Sequence, residues 1–494
     1  MGVLSGLKPE RVFYYFEEMA GIPHGSGNLE QVSNWLVEFA KAHSLAYIQD
    51  DWKNVILIKE ASEGYEDEPA VILQGHMDMV AVKKPDCDMD LEKEGLRLAV
   101  DGDLVYAQGT SLGGDDGIAV AYALAILEDD SLKHPRLEVV ITVDEEVGMD
   151  GARGIDLSSL TASRMINLDS EDEGIFLTSC AGGARFRAHL PVESAQTQGI
   201  LCEITVDGLQ GGHSGGEIHK ERGNSNCLLA RILRQVAGRY PIGLVTIKGG
   251  LADNAIPRQS TASILIPAGS DLFDEIGSAD VGQDGLSELL EEIAMEIGDE
   301  LATKDPGFTL RWKLQDRPVE VQALSVEETG KALALLLSLP NGVQAMSADM
   351  PGLVETSLNL GILEYTGDGI FADYAVRSSV ESAKYALMER MKAAVELAGG
   401  DYAITGDYPG WKYRVDSPLR DKMVALYVKM YGEKPRVEAI HAGLECGILG
   451  SKIADLDCVS MGPDMRNIHT TEETLSISST ARVWDYLVAL LAWK

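Results

Sequence analysis

The stretch Val71–Val80 reads VILQGHMDMV. Its opening residues, Val71–Leu73, are an apolar run that suits the interior of a buried strand in a parallel sheet, where neither face meets water. Gly75 closes the run, and His76 and Asp78 follow at once. Ligands in open α/β sheets collect just beyond the carboxyl ends of such strands. An imidazole there suits a metal: one ring nitrogen binds it while a carboxylate two residues on fixes the other. For this tripeptide alone, a buried histidine hydrogen-bonded to a neighbouring aspartate is the plainer alternative.

The same juncture recurs along the chain. Leu137–Val143 reads as a buried strand and runs into Asp144, Glu145 and Glu146, and Met165–Leu168 reads as another and runs into Asp169. In GTSLGGDDG the glycines mark a loop, and the apolar helix Gly117–Leu127 begins beside Asp115 and Asp116. Near the C-terminus, strand-like Cys458–Met461 leads through GPDMRN to His469, with Thr470–Glu473 opening a final helix that ends at Trp493. Each segment alone has a structural alternative. Asp115 and Asp116 suit helix N-caps, Glu145–Glu146 a polar strand exit, and His469 a loop. Five segments delivering carboxylates and imidazoles to one side of a parallel sheet point instead to a single centre.

The elements around these junctures complete an α/β domain. Pro9–His43 reads as two helices broken by GIPHGSGN, and Asn54–Lys59 as a strand. Between about Arg185 and Gly400 the texture changes. Ile200–Val206 alternates like a half-buried strand, GLQGGHSGGEIHKERGNSN is a Gly-rich loop, and Leu244–Lys248 and Thr261–Ile266 suit hairpin strands around GGLADNAIPR. Strands and helices used twice over in this region indicate an α+β insertion. The expected fold is therefore an α/β domain, with a mostly parallel central sheet flanked by helices, made of residues 1–184 and 402–494. An inserted α+β domain spans residues 185–401.

The chain has 494 residues, a hydrophobic fraction of 45% and 51 glycines, ordinary for a globular protein with a sizeable core. Lys+Arg 42 against Asp+Glu 78 gives a net charge of −36, which argues against nucleic acid or an anionic membrane as partner, since both need a basic footprint. No uncharged stretch is long enough to span a bilayer, and the N-terminus lacks the basic and apolar regions of a secretory signal. Cys87, Cys180, Cys202, Cys227, Cys446 and Cys458 are scattered without a C-x-x-C pair, as expected for reduced thiols of a cytoplasmic protein.

Two divalent ions held together need a bridging carboxylate, terminal ligands and open coordination; such a pair lowers the pKa of a shared water towards about 7. A carboxylate that is not a ligand must then take the proton. The chain offers His76 and His469 as imidazoles, Asp115 as bridge, Glu146 and Asp169 as terminal carboxylates, and Glu145 as base. Mixed imidazole and carboxylate ligands suit Zn2+, with Co2+ or Mn2+ able to take the same site.

At these residues a resemblance becomes specific. GHMDMV, GTSLGGDDG, VDEEVGMDGA, INLDSEDEG, GGHSGGEIHKERGN, DNAIPR, HAGLECGIL and MGPDMRNIHTTEE together resemble the aminoacyl-histidine dipeptidases (Xaa-His dipeptidases, cytosolic non-specific dipeptidase type) of the di-zinc metallopeptidase family M20. The likeness runs from about Gly21 to Glu473, in the family's order. It implies hydrolysis of unblocked dipeptides, with His76 and Asp169 on one zinc, Glu146 and His469 on the other, and Asp115 bridging. By the same resemblance Glu145 is the general base, Asp78 orients His76, and His213 in the lid polarises the scissile carbonyl. Asn254, Arg377 and the Gly443 backbone would receive the substrate's carboxylate, although Arg377 in YAVRSS equally suits a surface ion pair. His24 stands where relatives often carry arginine, and Asp116 stays open as an alternative bridge. The resemblance makes residues 1–184 and 402–494 the catalytic domain and 185–401 a lid, through which the family commonly forms homodimers. An N-acyl-amino-acid deacylase or tripeptidase with the same metals is the neighbouring alternative, and a non-catalytic, metal-stabilised binding protein is the distant one.

Overall fold

The computed structural model describes residues 2–270 and 282–494. The chain divides into two compact units, Met1–Cys180 with Trp411–Ala439 and Leu444–Lys494, and Ala181–Gly410 with Ile440–Gly443. Sequence texture put the changes of domain at 184/185 and 401/402. The units change earlier and later than that because Gly182–Leu190 and Asp401–Tyr408 pair with each other in the second unit's sheet. In the first unit, Cys180 and Trp411 exchange both backbone hydrogen bonds at 3.0 Å, so the long excursion Ala181–Gly410 starts and ends at one antiparallel bridge, and Ile440–Gly443 is a second, short one.

Among the described residues the first unit is built on an eight-stranded sheet. Its strand order is Ala46–Gln49, Val55–Lys59, Leu137–Thr142, Val71–His76, Arg164–Asn167, Asp457–Ser460, Ile175–Cys180 and Arg436–Ile440. The four strands from Leu137–Thr142 to Asp457–Ser460 are mutually parallel, with antiparallel neighbours outside them. Every residue of Val71–His76 and Leu137–Thr142 is buried, which is why these stretches read as continuous apolar runs instead of alternating ones. The helix Gly114–Glu128 is buried from Gly114 to Leu127. It therefore has no polar face, and it packs with Val71, Leu73, Val139 and Phe16 in one core.

The final helix differs from expectation. It runs Ile477–Ala492, with Ser476 accepting the Ser479 N–H as its cap. Thr470–Glu473 instead forms a turn, and Thr474–Ser476 is a strand beside Leu104–Ala107. Glu473 does not enter a helix because its carboxylate is engaged by the loop ahead of Asp115.

Among the described residues the second unit carries a ten-stranded sheet whose assigned pairs are antiparallel. Ile200, Cys202, Ile204 and Val206 are buried along Ser194–Asp207, the period of two expected where one face meets the core. Helices Ser225–Arg239, Gly282–Leu301, Val326–Ser338 and Glu381–Leu397 contribute to the same apolar cluster as the sheet. No helix among the described residues is long and apolar enough to cross a membrane. All six cysteines are free.

Candidate metal centre

The parallel strands of the first unit deliver their polar residues at their carboxyl ends. Val71–His76 ends in His76, Leu137–Thr142 leads to Glu145 and Glu146, and Arg164–Asn167 leads to Asp169. The loop after Asp457–Ser460 brings His469, and Asp115 stands at the head of the Gly114–Glu128 helix. Asp115 (φ −82°, ψ 104°) and Asp116 (φ −121°, ψ 33°) are not helical, so neither serves as an ordinary first-turn residue.

Asp115 faces two ways. His76 Nε2 lies 3.1 Å from its Oδ1, and His469 Nε2 lies 3.2 Å from its Oδ2. On the first side Asp169 Oδ1 is 3.9 Å from His76 Nε2. On the second, Glu146 Oε1 is 2.9 Å from His469 Nε2. Asp115, Glu146 and His469 form one three-donor group able to hold an ion, and His76, Asp169 and Asp116 form another. Asp116 is turned differently: its Oδ2 accepts the His76 backbone N–H at 3.2 Å.

The donors fit a divalent cation better than they fit one another. Glu146 Oε1 and Asp116 Oδ1 are buried without a hydrogen bond, although Glu146 Oε1 is so near His469. An imidazole and a carboxylate that approach without hydrogen-bond geometry are placed as two ligands of one ion would be. Burial, then the neighbouring carboxylates Asp115 and Glu445, hold the Asp116 carboxyl well above its ordinary range. Burial, then Asp116 and Asp115, do the same to Asp169. Burial, with Glu445, Glu146 and Asp115 adding to it against His76, pushes Glu145 up to about 8. Asp115 goes the other way: burial opposes its charge, but His469 and His76 hold it low. His469 is raised to about 10 by Asp115 and Glu146. So many carboxylates around two imidazoles call for added positive charge.

Supporting contacts surround these groups. His76 Nδ1 meets the Asp78 main-chain oxygen at 3.0 Å, closer than Asp78 Oδ1 at 3.5 Å. The Asp78 carboxylate accepts Ser26 Oγ–H (2.8 Å) and the N–H groups of Glu145 (3.0 Å) and Glu146 (3.3 Å). Glu445, fully buried, accepts from Gln74 Nε2 and Thr142 Oγ1 in the strands behind His76 and Glu145. His24 is buried and engages the Ile22 carbonyl through Nδ1. Sequence reasoning did not find Glu445 or Glu473, because burial of a lone carboxylate leaves no local pattern.

The second unit gathers the remaining residues. His213 pairs with Ala255 across a two-residue ladder, and the Asn254 carbonyl accepts the Ser214 N–H at 2.8 Å. His213 Nδ1 accepts the N–H groups of Gly215 (3.3 Å) and Gly216 (3.0 Å). That leaves the proton on Nε2, and burial followed by the Arg377 charge favours the neutral ring. Arg377 Nη1 donates to Tyr408 Oη at 3.3 Å, its Nε is buried without a hydrogen bond, and among the described residues it has no carboxylate partner. A side chain on Gly443 would begin 3.0 Å from Tyr408 Oη, and one on Gly215 would begin 3.0 Å from His213 Cε1 and 3.2 Å from Arg377 Nε. His213, Arg377, Tyr408 and Gly443 thus form one polar patch. His441 hydrogen-bonds Ser357 Oγ at 2.7 Å within it, and Arg222 closes the loop by donating to the Gly211 carbonyl.

The family model described as peptidase family M20/M25/M40 matches residues 72–493. The chain is 36% identical over 493 residues to the cytosol non-specific dipeptidase of Escherichia coli (strain K12), covering 99% of each. The crystal structure of aminoacylhistidine dipeptidase from Vibrio alginolyticus superimposes with a TM-score of 0.90 at 33% identity, over 99% of this chain and 97% of that one. Aminopeptidase PepT from Bacillus cereus ATCC 10987 shares the fold, with a TM-score of 0.54 at 16% identity over 98% of both chains.

Proposed function

We propose, for a chain that belongs to peptidase family M20/M25/M40, the metal-dependent hydrolysis of unblocked dipeptides. One observation carries the reading: Asp115 presents its two oxygens to two histidines, each with a further carboxylate beside it. Full-length likeness to two dipeptidases supports the substrate class.

In this reading His76 and Asp169 would hold one ion and Glu146 and His469 the other, with Asp115 the ligand shared between them. Zn2+ is the ion this donor set favours, with Co2+ and Mn2+ as substitutes. When bound, such a pair supplies Lewis acidity and brings the pKa of a water at the site towards about 7. Glu145 takes the proton from the attacking water, whose oxygen bonds to the peptide carbonyl carbon. The C–N bond then breaks, and Glu145 hands the proton to the departing amine. Neutral His213, with its proton on Nε2, donates to the carbonyl oxygen. Asn254, Arg377 and the Gly443 N–H receive the substrate's free carboxylate, for which the uncompensated Arg377 cation is suited.

The first unit is thus read as the catalytic domain and the second as the lid. We assign the protein to the cytoplasm and to a homodimer formed through the second unit, whose surface exposes Leu251 (96%), Leu397 (90%) and Met295 (72%); sedimentation equilibrium tests the assembly. The catalytic reading is tested by a panel of unblocked dipeptides that includes β-alanyl-histidine. Each is run with metal-loaded and chelated enzyme, beside N-acetylated amino acids and tripeptides. Chelator-sensitive cleavage confined to free dipeptides is expected. Cleavage only of the blocked or longer compounds would move the assignment to a deacylase or tripeptidase. Metal-loaded protein that cleaves nothing would leave a binding protein.

A further inference from the structure

Glu473 is buried, 3% exposed, and its carboxylate is ringed by main-chain N–H groups of a segment far away in sequence. Oε2 accepts from Leu112 at 2.8 Å and Gly113 at 3.1 Å, and Oε1 accepts from Gly114 at 2.8 Å and Asp115 at 3.4 Å. These four donors have no sheet ladder to join. The loop is also not yet helix, since Gly113 is left-handed at φ +67° and Asp115 and Asp116 are non-helical. Without Glu473 they would be buried donors lacking partners, which is destabilising. The Glu473 N–H meanwhile donates to the Thr470 carbonyl at 3.3 Å, closing the turn that follows His469.

One carboxylate therefore ties the turn that carries His469 to the loop that carries Asp115. We propose that Glu473 is the positioning residue that fixes the separation of these two metal-ligating side chains, so that the site is assembled before an ion arrives. The inference rests on the reading of Asp115 and His469 as ligands. The space is closed to alternatives: a side chain on Gly114 would begin 3.3 Å from Glu473 Oε1 and 3.2 Å from Met465 Sδ. Glutamine has nearly the same shape, but its amide NH2 would face N–H groups and could not accept from them.

The test compares wild type, Glu473→Gln, Glu473→Asp and Glu472→Gln after chelation, by calorimetric titration with Zn2+, with circular dichroism to establish folding. Glu472 is the control, since it is exposed and pairs with Lys84 at 2.6 Å. Outer-sphere partners of metal ligands are worth about 10–100-fold in affinity. Glu473→Gln is expected to stay folded and bind Zn2+ more weakly by that factor. Its KM for a cleaved dipeptide should be unchanged, and excess Zn2+ should restore its kcat. Glu473→Asp, which keeps the charge on a shorter arm, should fall between wild type and Glu473→Gln. Should Glu473→Gln not fold, the aspartate variant carries the same readouts. A folded variant with lowered melting temperature but wild-type Zn2+ affinity overturns the inference, as does a kcat loss that excess Zn2+ does not reverse. A wild-type protein that takes up no metal would instead overturn the site reading itself.

Discussion

The main-chain N–H of Glu145 donates to Oδ1 of Asp78 at 3.0 Å. The carboxylate two residues beyond His76 therefore governs the turn bearing the proposed base, while His76 itself is held chiefly by the Asp78 main-chain oxygen. Ser26 Oγ and the Glu146 N–H complete the set of donors around the same carboxylate. The strand end at Val71–His76 and the strand end at Leu137–Thr142 are thereby locked together at their functional tips.

Asp78→Asn should disturb both tips, because an amide must turn NH2 towards at least one of three donors. The expected loss in kcat is about 10–100-fold, the range for outer-sphere partners. Steady-state kinetics with metal analysis on the same sample checks it, and an unchanged kcat would refute the role.

Glu145→Gln should retain its full metal complement while losing about 10²–10⁴-fold in kcat, the usual scale for a general acid–base group. Loss of metal in that variant would make Glu145 a ligand instead of a base.

Gly75→Ala tests the packing beneath the centre. The new Cβ would lie 2.5 Å from both Ala119 Cβ and Asp116 Oδ2. Overpacking of this kind costs about 1–3 kcal/mol. Because Asp116 must shift, chemical denaturation should show reduced stability together with weaker metal uptake.

Glu138 supplies a pH dependence away from the metal centre. It is fully buried and accepts from Thr161 N–H and Ala162 N–H at 3.0 Å, Thr161 Oγ at 2.8 Å and Arg136 Nε at 3.0 Å. Burial opposes its charge, but the backbone donors with Thr161 and Arg136 prevail and hold its pKa below the ordinary value. Its folded pKa thus lies below the unfolded one near about 4.3. The stabilisation is complete above that value and disappears as pH falls through the folded pKa. Glu138→Gln should be less stable by about 1–3 kcal/mol at pH 7, and the deficit should shrink as the pH is lowered towards 3. Urea denaturation across that range measures it.

What could be read from the sequence was what local pattern encodes. Val71–His76 and Leu137–Thr142 announce themselves because strands buried on both faces must be apolar throughout. The buried helix after Asp116 is visible for the same reason. The choice between Asp115 and Asp116 was not legible, since both follow Gly114 and only the fold turns Asp115 towards His76 and His469. The hairpin Leu98–Asp101 with Leu104–Ala107 was missed: it is short and partly exposed, and its partner Thr474–Ser476 is far along the chain. That partner also explains the misplaced start of the final helix. Glu473 resembles an ordinary first-turn acid until one sees where its carboxylate goes. Tyr408 is equally silent in sequence, yet its hydroxyl stands beside both Arg377 and Gly443.

The paired backbones of Cys180 and Trp411 bear on how such a chain can be rearranged. Two antiparallel positions at hydrogen-bonding distance can be joined by a two-residue hairpin. Ala181–Gly410, the longer of the first unit's two excursions, is therefore a cassette that begins and ends at one bridge. Lengthening a loop between fixed ends adds little closure entropy, so chain closure constrains the size of the cassette only weakly at this point. A gene in which a short turn replaces the cassette would encode a minimal scaffold carrying His76, Asp115, Glu146, Asp169 and His469 on one short polypeptide.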